Sequence, residues 1–243
     1  MHHREIWLAK LFNDYLPGVG NAFLKLVGMP VEPRPWAGFI VMQLLVVLIL
    51  IVLFAFLRPR LSMDRPGKLQ HSLELIYEFV HGESESAVGH SGPRYIAFFG
   101  TLFLFILSCN LIGIIPGFES PTMIPSVPAG CAIATFIYYN VAGVEAQGVL
   151  NYLKQFAGPM LVLAPLMILI EITSHLARPL SLTVRLYANM FAGEKVTLVF
   201  LSLTYFAVPA VFMGLHVFVS LLQAYIFMLL TMMYVGGAVS HEH

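Results

Sequence analysis

Residues 177–196 read ARPLSLTVRLYANMFAGEKV, and Arg185 near their centre decides how the chain is to be folded. It lies in the apolar run from Met160 to Phe206, where nothing on either side supplies an obvious neutralising partner. A guanidinium cannot shed its proton to escape a low-dielectric setting. Holding it at bilayer depth costs from ~3 kcal/mol on insertion scales to over ~10 in simulations of an isolated helix, a cost usually associated with a function such as an ion path. Glu171, Arg178, Asn189, Glu194, Lys195, His216 and Gln223 fall in the same hydrophobic half of the chain. A merely greasy anchor would need none of them.

Two foldings compete for residues 160–239. Hydropathy alone cuts them into 160–177, 196–207 and 211–239 with a polar loop around Arg185, but the middle piece is too short to span upright. The alternative is one continuous helix over 160–203, a turn before Pro209 and a second helix over 209–239. The first would measure ~66 Å, so it must tilt steeply across a ~30 Å hydrocarbon core. Setting Glu194 opposite His216, or Arg185 opposite Gln223, places the turn near residues 204–205 in both cases, just before the proline where a helix should break. The agreement favours a long, steeply tilted antiparallel hairpin. Arg178, Arg185, Ala188, Asn189 and Ala192 form a stripe on its first helix, and small residues at 188 and 192 allow a neighbouring helix close approach. His216, Ser220, Gln223 and Phe227 form a comparable stripe on the second. Glu194 is half a rotation from Arg185, which assigns it to a different aqueous cavity.

Composition agrees with lipid. Of 243 residues, 58% are hydrophobic and 11% charged, against about 25% charged in a soluble domain. Thirteen basic residues balance 13 acidic ones, which suggests no nucleic-acid partner. Cys109 and Cys131 sit in apolar runs and read as small buried hydrophobes. The N-terminus lacks the apolar core of a secretory signal and is expected to be part of the mature protein.

Residues 36–57 contain only Gln43 as a strongly polar group and would rise ~33 Å as a helix, enough for a first span. Arg58, Arg60, Arg65 and Lys68 crowd its end and place it in the cytoplasm, with residues 1–35 outside. Leu69, Leu73, Ile76, Tyr77 and Val80 predict a cytoplasmic interfacial helix over 69–81, followed by a loop at Gly82–Ser86. Spans over 95–115 and 129–150 follow, the first stopped by Pro116 and Gly117. Lys154 lies back inside, and the C-terminus is cytoplasmic. The expected architecture is a single all-α integral membrane domain with about five membrane helices.

The stretch 177–196, with LHVFVSLLQAYIFMLLTMMY (215–234) downstream, resembles subunit a of the F-type ATP synthase membrane sector. Arg185, Asn189, Glu194, His216, Gln223 and, upstream, Glu171 fall at that family's spacings. The clear resemblance covers about 165–235. Ala188 stands where a glycine is common, and the loop near Asn110 and Gly113 lacks the acid some members carry.

The resemblance implies a non-catalytic stator in a bacterial plasma (inner) membrane, against which a ring of c subunits turns, with peripheral-stalk b subunits as further partners and no cofactor or metal. It implies two offset half-channels that couple proton flow to ATP synthesis, although the residues leave proton and sodium both open. Arg185 would attract the ring carboxylate and repel a proton trying to cross directly. Glu194 and His216 would relay protons in the outer half-channel, Asn189 and Gln223 would position Arg185 and water, and Glu171 with Ser174 would line the inner half-channel.

Plainer readings stand beside these. On spacing alone His216 is equally a hydrogen-bonded bundle residue, and Arg178 beside Pro179 is equally a snorkelling structural cation. Lys195 reads as structural, Glu145 as reaching the headgroups, Asn140 as helix–helix glue, and His241–His243 as a solvated tail. A secondary ion transporter or antiporter with an Arg/Glu/His site is the other functional class. It should show inverted repeats and helices broken near the midplane, and the sequence has neither. An intramembrane enzyme would need a nucleophile turn or paired metal-binding histidines, also absent.

Overall fold

A computed structural model describes residues 7–26, 28, 30–62, 67–115, 117–150, 152, 164–203 and 207–239. The expected turn at 204–205, the first hairpin residues from Met160, and Arg65, Pro116, Lys154 and His241–His243 lie outside the described residues. In lipid every backbone polar group must be satisfied within its own helix or a closed barrel. Every regular element among the described residues is helical.

The helices are α1 (Trp7–Tyr15), α2 (Pro17–Leu26), α3 (Gly38–Leu57), α4 (Lys68–Val88), α5 (Ile96–Ile112), α6 (Ser126–Gln147), α7 (Ala164–Leu203) and α8 (Ala207–Val239). Four helical stretches are long and apolar enough to cross a membrane: Gly38–Arg60, Ser91–Ile112, Ser126–Gln147 and Ala210–Val239. The fold is therefore an all-α, multi-span bundle with additional helices. Helix α7 is not among the four, because charged residues interrupt its hydrophobic windows.

The core lies where α5, α6 and α7 meet α8. Leu182, Leu186 and Met190, at four-residue intervals, bury one side of α7, and Ala224, Phe227, Met228, Met232 and Val235 bury the matching side of α8. This is the i, i+3/i+4 stripe by which one helix packs on another. Phe200 stacks on Phe212 at 4.1 Å, and the Ser220 hydroxyl meets the Met190 sulfur at 3.8 Å. In these contacts numbers rise along α7 as they fall along α8. Pro179 lies inside α7 and cannot donate to the carbonyl one turn back, that of His175.

Helix α3 stands apart, touching the rest through Val41, Met42 and Val46 and a small cluster with Ala9, Cys109 and Ile112. Leu48, Ile51 and Val52 on its other sides are exposed, as lipid-facing residues should be.

Several helix ends differ by a few residues from the expected boundaries, as at α5, which stops at Ile112 rather than 115, and three differences have a visible cause or consequence. Residues 7–26 form two helices, anchored where Asn13 donates to the Trp36 carbonyl and accepts from its N–H, at 3.1 and 2.9 Å. The segment 82–86, expected as a loop, is helical, and α4 continues to Val88. Tertiary contacts override its Gly and Ser content there: the Ser84 hydroxyl donates to the Gly92 carbonyl at 3.0 Å, and Gly236 of α8 approaches the Ala87 carbonyl so closely that an added Cβ would lie 2.5 Å from it. Helix α6 starts at Ser126 rather than 129, since Pro128 falls in its first turn, where the missing N–H has no intrahelical partner to lose.

Candidate functional site

Helix α7 carries its polar residues as a continuous rod, so their spacing follows the helical rise. Arg185 is half-buried. Among the described residues its Nε, together with His216 Nδ1 and Gln223 Nε2, is one of the buried side-chain atoms with no hydrogen-bond partner. Among the described residues Arg185 makes no ion pair. A buried donor left unmatched costs about 1–3 kcal/mol, more for a charged group, so this concentration on two facing helices marks a place prepared for something other than packing.

One turn beyond Arg185, the Asn189 amide donates to Gln223 Oε1 at 2.8 Å. Gln223 is 2% exposed, whereas Asn189 is exposed. The sequence set Gln223 opposite Arg185; the bonded partner is Asn189. His216 is buried against Gly193, where an added Cβ would lie 2.6 Å from its Nδ1. Glu194, the next residue along α7, is half-buried. Glu119 lies in the loop before α6.

The same loop is tied to the core by a polar ladder that the sequence did not reveal. The Ser120 hydroxyl donates to the Cys109 carbonyl at 2.8 Å, Thr122 donates to Asn110 Oδ1 at 2.8 Å, and Asn110 Nδ2 donates to the Ser220 carbonyl at 3.2 Å. Ser220 is one turn from His216. An amide and two hydroxyls inside an apolar bundle were the available signal, but their mutual contact needs the loop to fold back, which spacing does not show.

Toward the other end of α7, Glu171 Oε1 lies 3.3 Å from His175 Nε2 and 3.8 Å from Arg178 Nη2. The Tyr139 hydroxyl is 2.8 Å from His175 Nδ1. The Arg178 guanidinium sits over the rings of Tyr139 and Tyr234, at 5.7 and 5.2 Å. Ser174 is half-buried and, among the described residues, makes no hydrogen bond to Glu171. His175 escaped the sequence reading, although its i, i+4 spacing from Glu171 was legible.

The remaining polar residues have plain partners. Asn140 Nδ2 donates to the Phe136 carbonyl at 2.7 Å, and its Oδ1 accepts from Tyr152 at 2.9 Å. Glu145 pairs with Arg94 at 2.9 Å. Lys195 lies 5.3 Å over the Phe191 ring. Both cysteines are buried and free. Among the described residues no group of three His, Cys, Asp or Glu side chains could hold a metal ion.

Comparison with known proteins gives a consistent result. The family model described as ATP synthase A chain matches residues 40–236. The chain is 70% identical over 233 residues to ATP synthase subunit a of Solibacter usitatus, covering 96% of this chain and 100% of that one. It is 48% identical over 241 residues to ATP synthase subunit a of Koribacter versatilis, covering 98% of each. Against ATP synthase subunit a 1 of Pelobacter propionicus it is 42% identical over 197 residues, covering 81% of this chain and 86% of that one.

Proposed function

Because the chain belongs to the ATP synthase A chain family, and so serves as a non-catalytic, proton-translocating stator subunit of an F-type ATP synthase, we propose that Arg185 is the fixed cation separating two offset half-channels. The supporting observation is its half-buried guanidinium, with Nε unmatched, one turn from the Asn189–Gln223 bond. A permanently charged group there attracts a deprotonated carboxylate on a passing ring of c subunits and repels a proton moving directly between the half-channels. A proton then crosses only by riding the ring. Val184, Ala188, Asn189 and Ala192 are exposed beside Arg185 and give the ring a face of mostly small residues.

In this scheme α3, α5, α6, α7 and α8 are the membrane helices within one domain, α7 and α8 form a steeply tilted antiparallel hairpin, and α4 lies along the cytoplasmic surface. Arg58 and Arg60 after α3 and Lys68 at the start of α4 support a cytoplasmic placement of that side, with the N-terminus outside and the C-terminus inside. The membrane is the bacterial plasma membrane, and peripheral-stalk b subunits hold the stator still. Glu194 and His216 carry protons in the outer half-channel. Asn189 and Gln223 hold the Arg185 neighbourhood in register. Glu171, some 21 Å along the helix from Arg185, serves the inner half-channel with Ser174 nearby.

Arg185→Lys should abolish ATP-driven acidification of inverted membrane vesicles, since a compact ammonium does not reproduce the guanidinium's fork. Arg185→Ala should leave a passive proton leak once the ring is assembled. Normal acidification by the lysine variant, or vesicles of the alanine variant that hold an imposed gradient, would refute the assignment.

A further inference from the structure

We propose that His175 is a proton-exchanging partner of Glu171, so that the inner half-channel contains an acid–imidazole dyad rather than a single carboxylate; this rests on α7 lining that half-channel. The two side chains are one helical turn apart and their reactive atoms face each other, His175 Nε2 lying 3.3 Å from Glu171 Oε1. Their surroundings differ. The Glu171 side chain is 40% exposed and the His175 side chain 11%, so the carboxylate can meet water while the imidazole is held in the bundle.

Among the described residues, ionisable groups from three helices meet around the pair. From α6 the Tyr139 hydroxyl reaches His175 Nδ1 at 2.8 Å. From α7 Arg178 approaches the same Glu171 oxygen as His175 does, at 3.8 Å, and from α8 Tyr234 presents its ring to that guanidinium. Beyond α6, Tyr152 bonds to Asn140, the neighbour of Tyr139. Arg178 alone gives Glu171 a partner that neither takes nor gives up a proton. His175 gives the same oxygen a partner that changes its protonation near neutrality.

The step balances within the dyad. With Nδ1–H donating to the Tyr139 oxygen, neutral His175 turns its Nε2 lone pair to Glu171. A proton arriving on Glu171 passes to Nε2: the carboxyl O–H bond breaks, an Nε2–H bond forms, and a carboxylate faces an imidazolium. The reverse transfer restores the carboxylic acid, from which inner water takes the proton. In the tautomer whose Nδ1–H donates to Tyr139, Nε2 is the nitrogen that exchanges the proton with Glu171.

The test uses the complete ATP synthase in inverted vesicles, whose bath contacts the cytoplasmic face. His175→Gln keeps an amide able to bond to Tyr139 and Glu171 but binds no proton. ATP-driven pumping should fall roughly tenfold, the size of a one-unit change in proton-transfer driving force. Its dependence on bath pH should flatten relative to the unsubstituted complex. Tyr139→Phe keeps both ionisable groups and should displace that dependence without flattening it. Unchanged rate and pH profile in His175→Gln would overturn the proposal; if that variant does not assemble, an unchanged profile in Tyr139→Phe does so. Arg185→Ala in the same preparation separates the two levels. A leak there with an indifferent His175→Gln removes only the dyad, whereas normal pumping by Arg185→Ala removes the half-channel scheme itself.

Discussion

Glu171 and Glu194 stand on the same helix on opposite sides of Arg185, and α7 surrounds them differently. Glu171 is fastened: His175 and Arg178 share one of its oxygens, and Tyr139 and Tyr234 hold those partners from two other helices. Among the described residues Glu194 makes no ion pair and His216 Nδ1 no hydrogen bond, and the His216 ring is placed by contact with Gly193. One end of the helix holds its acid by bonding, whereas at the other it is a histidine that is placed, by shape. Substitutions should therefore act through different observables at the two ends.

The largest effect expected from this contrast is at the end held by shape. A positioned proton-transfer group contributes on the order of 10²-fold or more, and among the described residues neither Glu194 nor His216 supports a bonded network. Glu194→Gln and His216→Ala should each lower coupled pumping toward that factor while the ring still copurifies. Unchanged pumping across pH in both variants would break the comparison, because the outer groups would then be packing residues.

Gly193→Ala probes the shape directly and should have a smaller effect. The new Cβ would lie 2.6 Å from His216 Nδ1 and 3.1 Å from its Cε1, so the ring must shift. Overpacking of this kind costs about 1–3 kcal/mol. Pumping should fall less than in His216→Ala, with the ring still bound. Wild-type rates would mean that the imidazole is not placed by this contact and that the two ends are more alike than the geometry implies.

What the sequence disclosed follows the same division. Runs such as 36–57 announce a lipid-spanning helix because composition alone determines it, and the charged positions along 171–194 were visible for the same reason. Contacts between helices were less legible. Gln223 was set opposite Arg185 but accepts from Asn189, one turn away; a register estimated from where polar residues fall cannot resolve a single turn. The Tyr139–His175 bond joins residues 36 apart on different helices, and a tyrosine within a span reads as apolar. Helix α4 ran through Gly82 and Ser84 because partners on other segments outweighed local propensity. Helices α1 and α2 were hidden because each is too short for its periodicity to stand out.

The smallest effect should come from the Arg94–Glu145 pair, which provides a control for the bonded end. It spans only 2.9 Å, as short as any charge pair described, yet its side chains are 67% and 54% exposed. Exposed pairs contribute about 0.2–1 kcal/mol and are screened by salt. Arg94→Ala should leave pumping and its pH profile unchanged at moderate ionic strength, and lower the thermal stability of the complex slightly, an effect lost at high salt. Arg178 has the longer distance to its acid but is held over two aromatic rings, so distance alone would rank the two arginines in the wrong order. If Arg94→Ala altered the pH profile as His175→Gln is expected to, the inner network would have to extend to the base of α6, and the bonded end of the path would be larger than the cluster around Glu171.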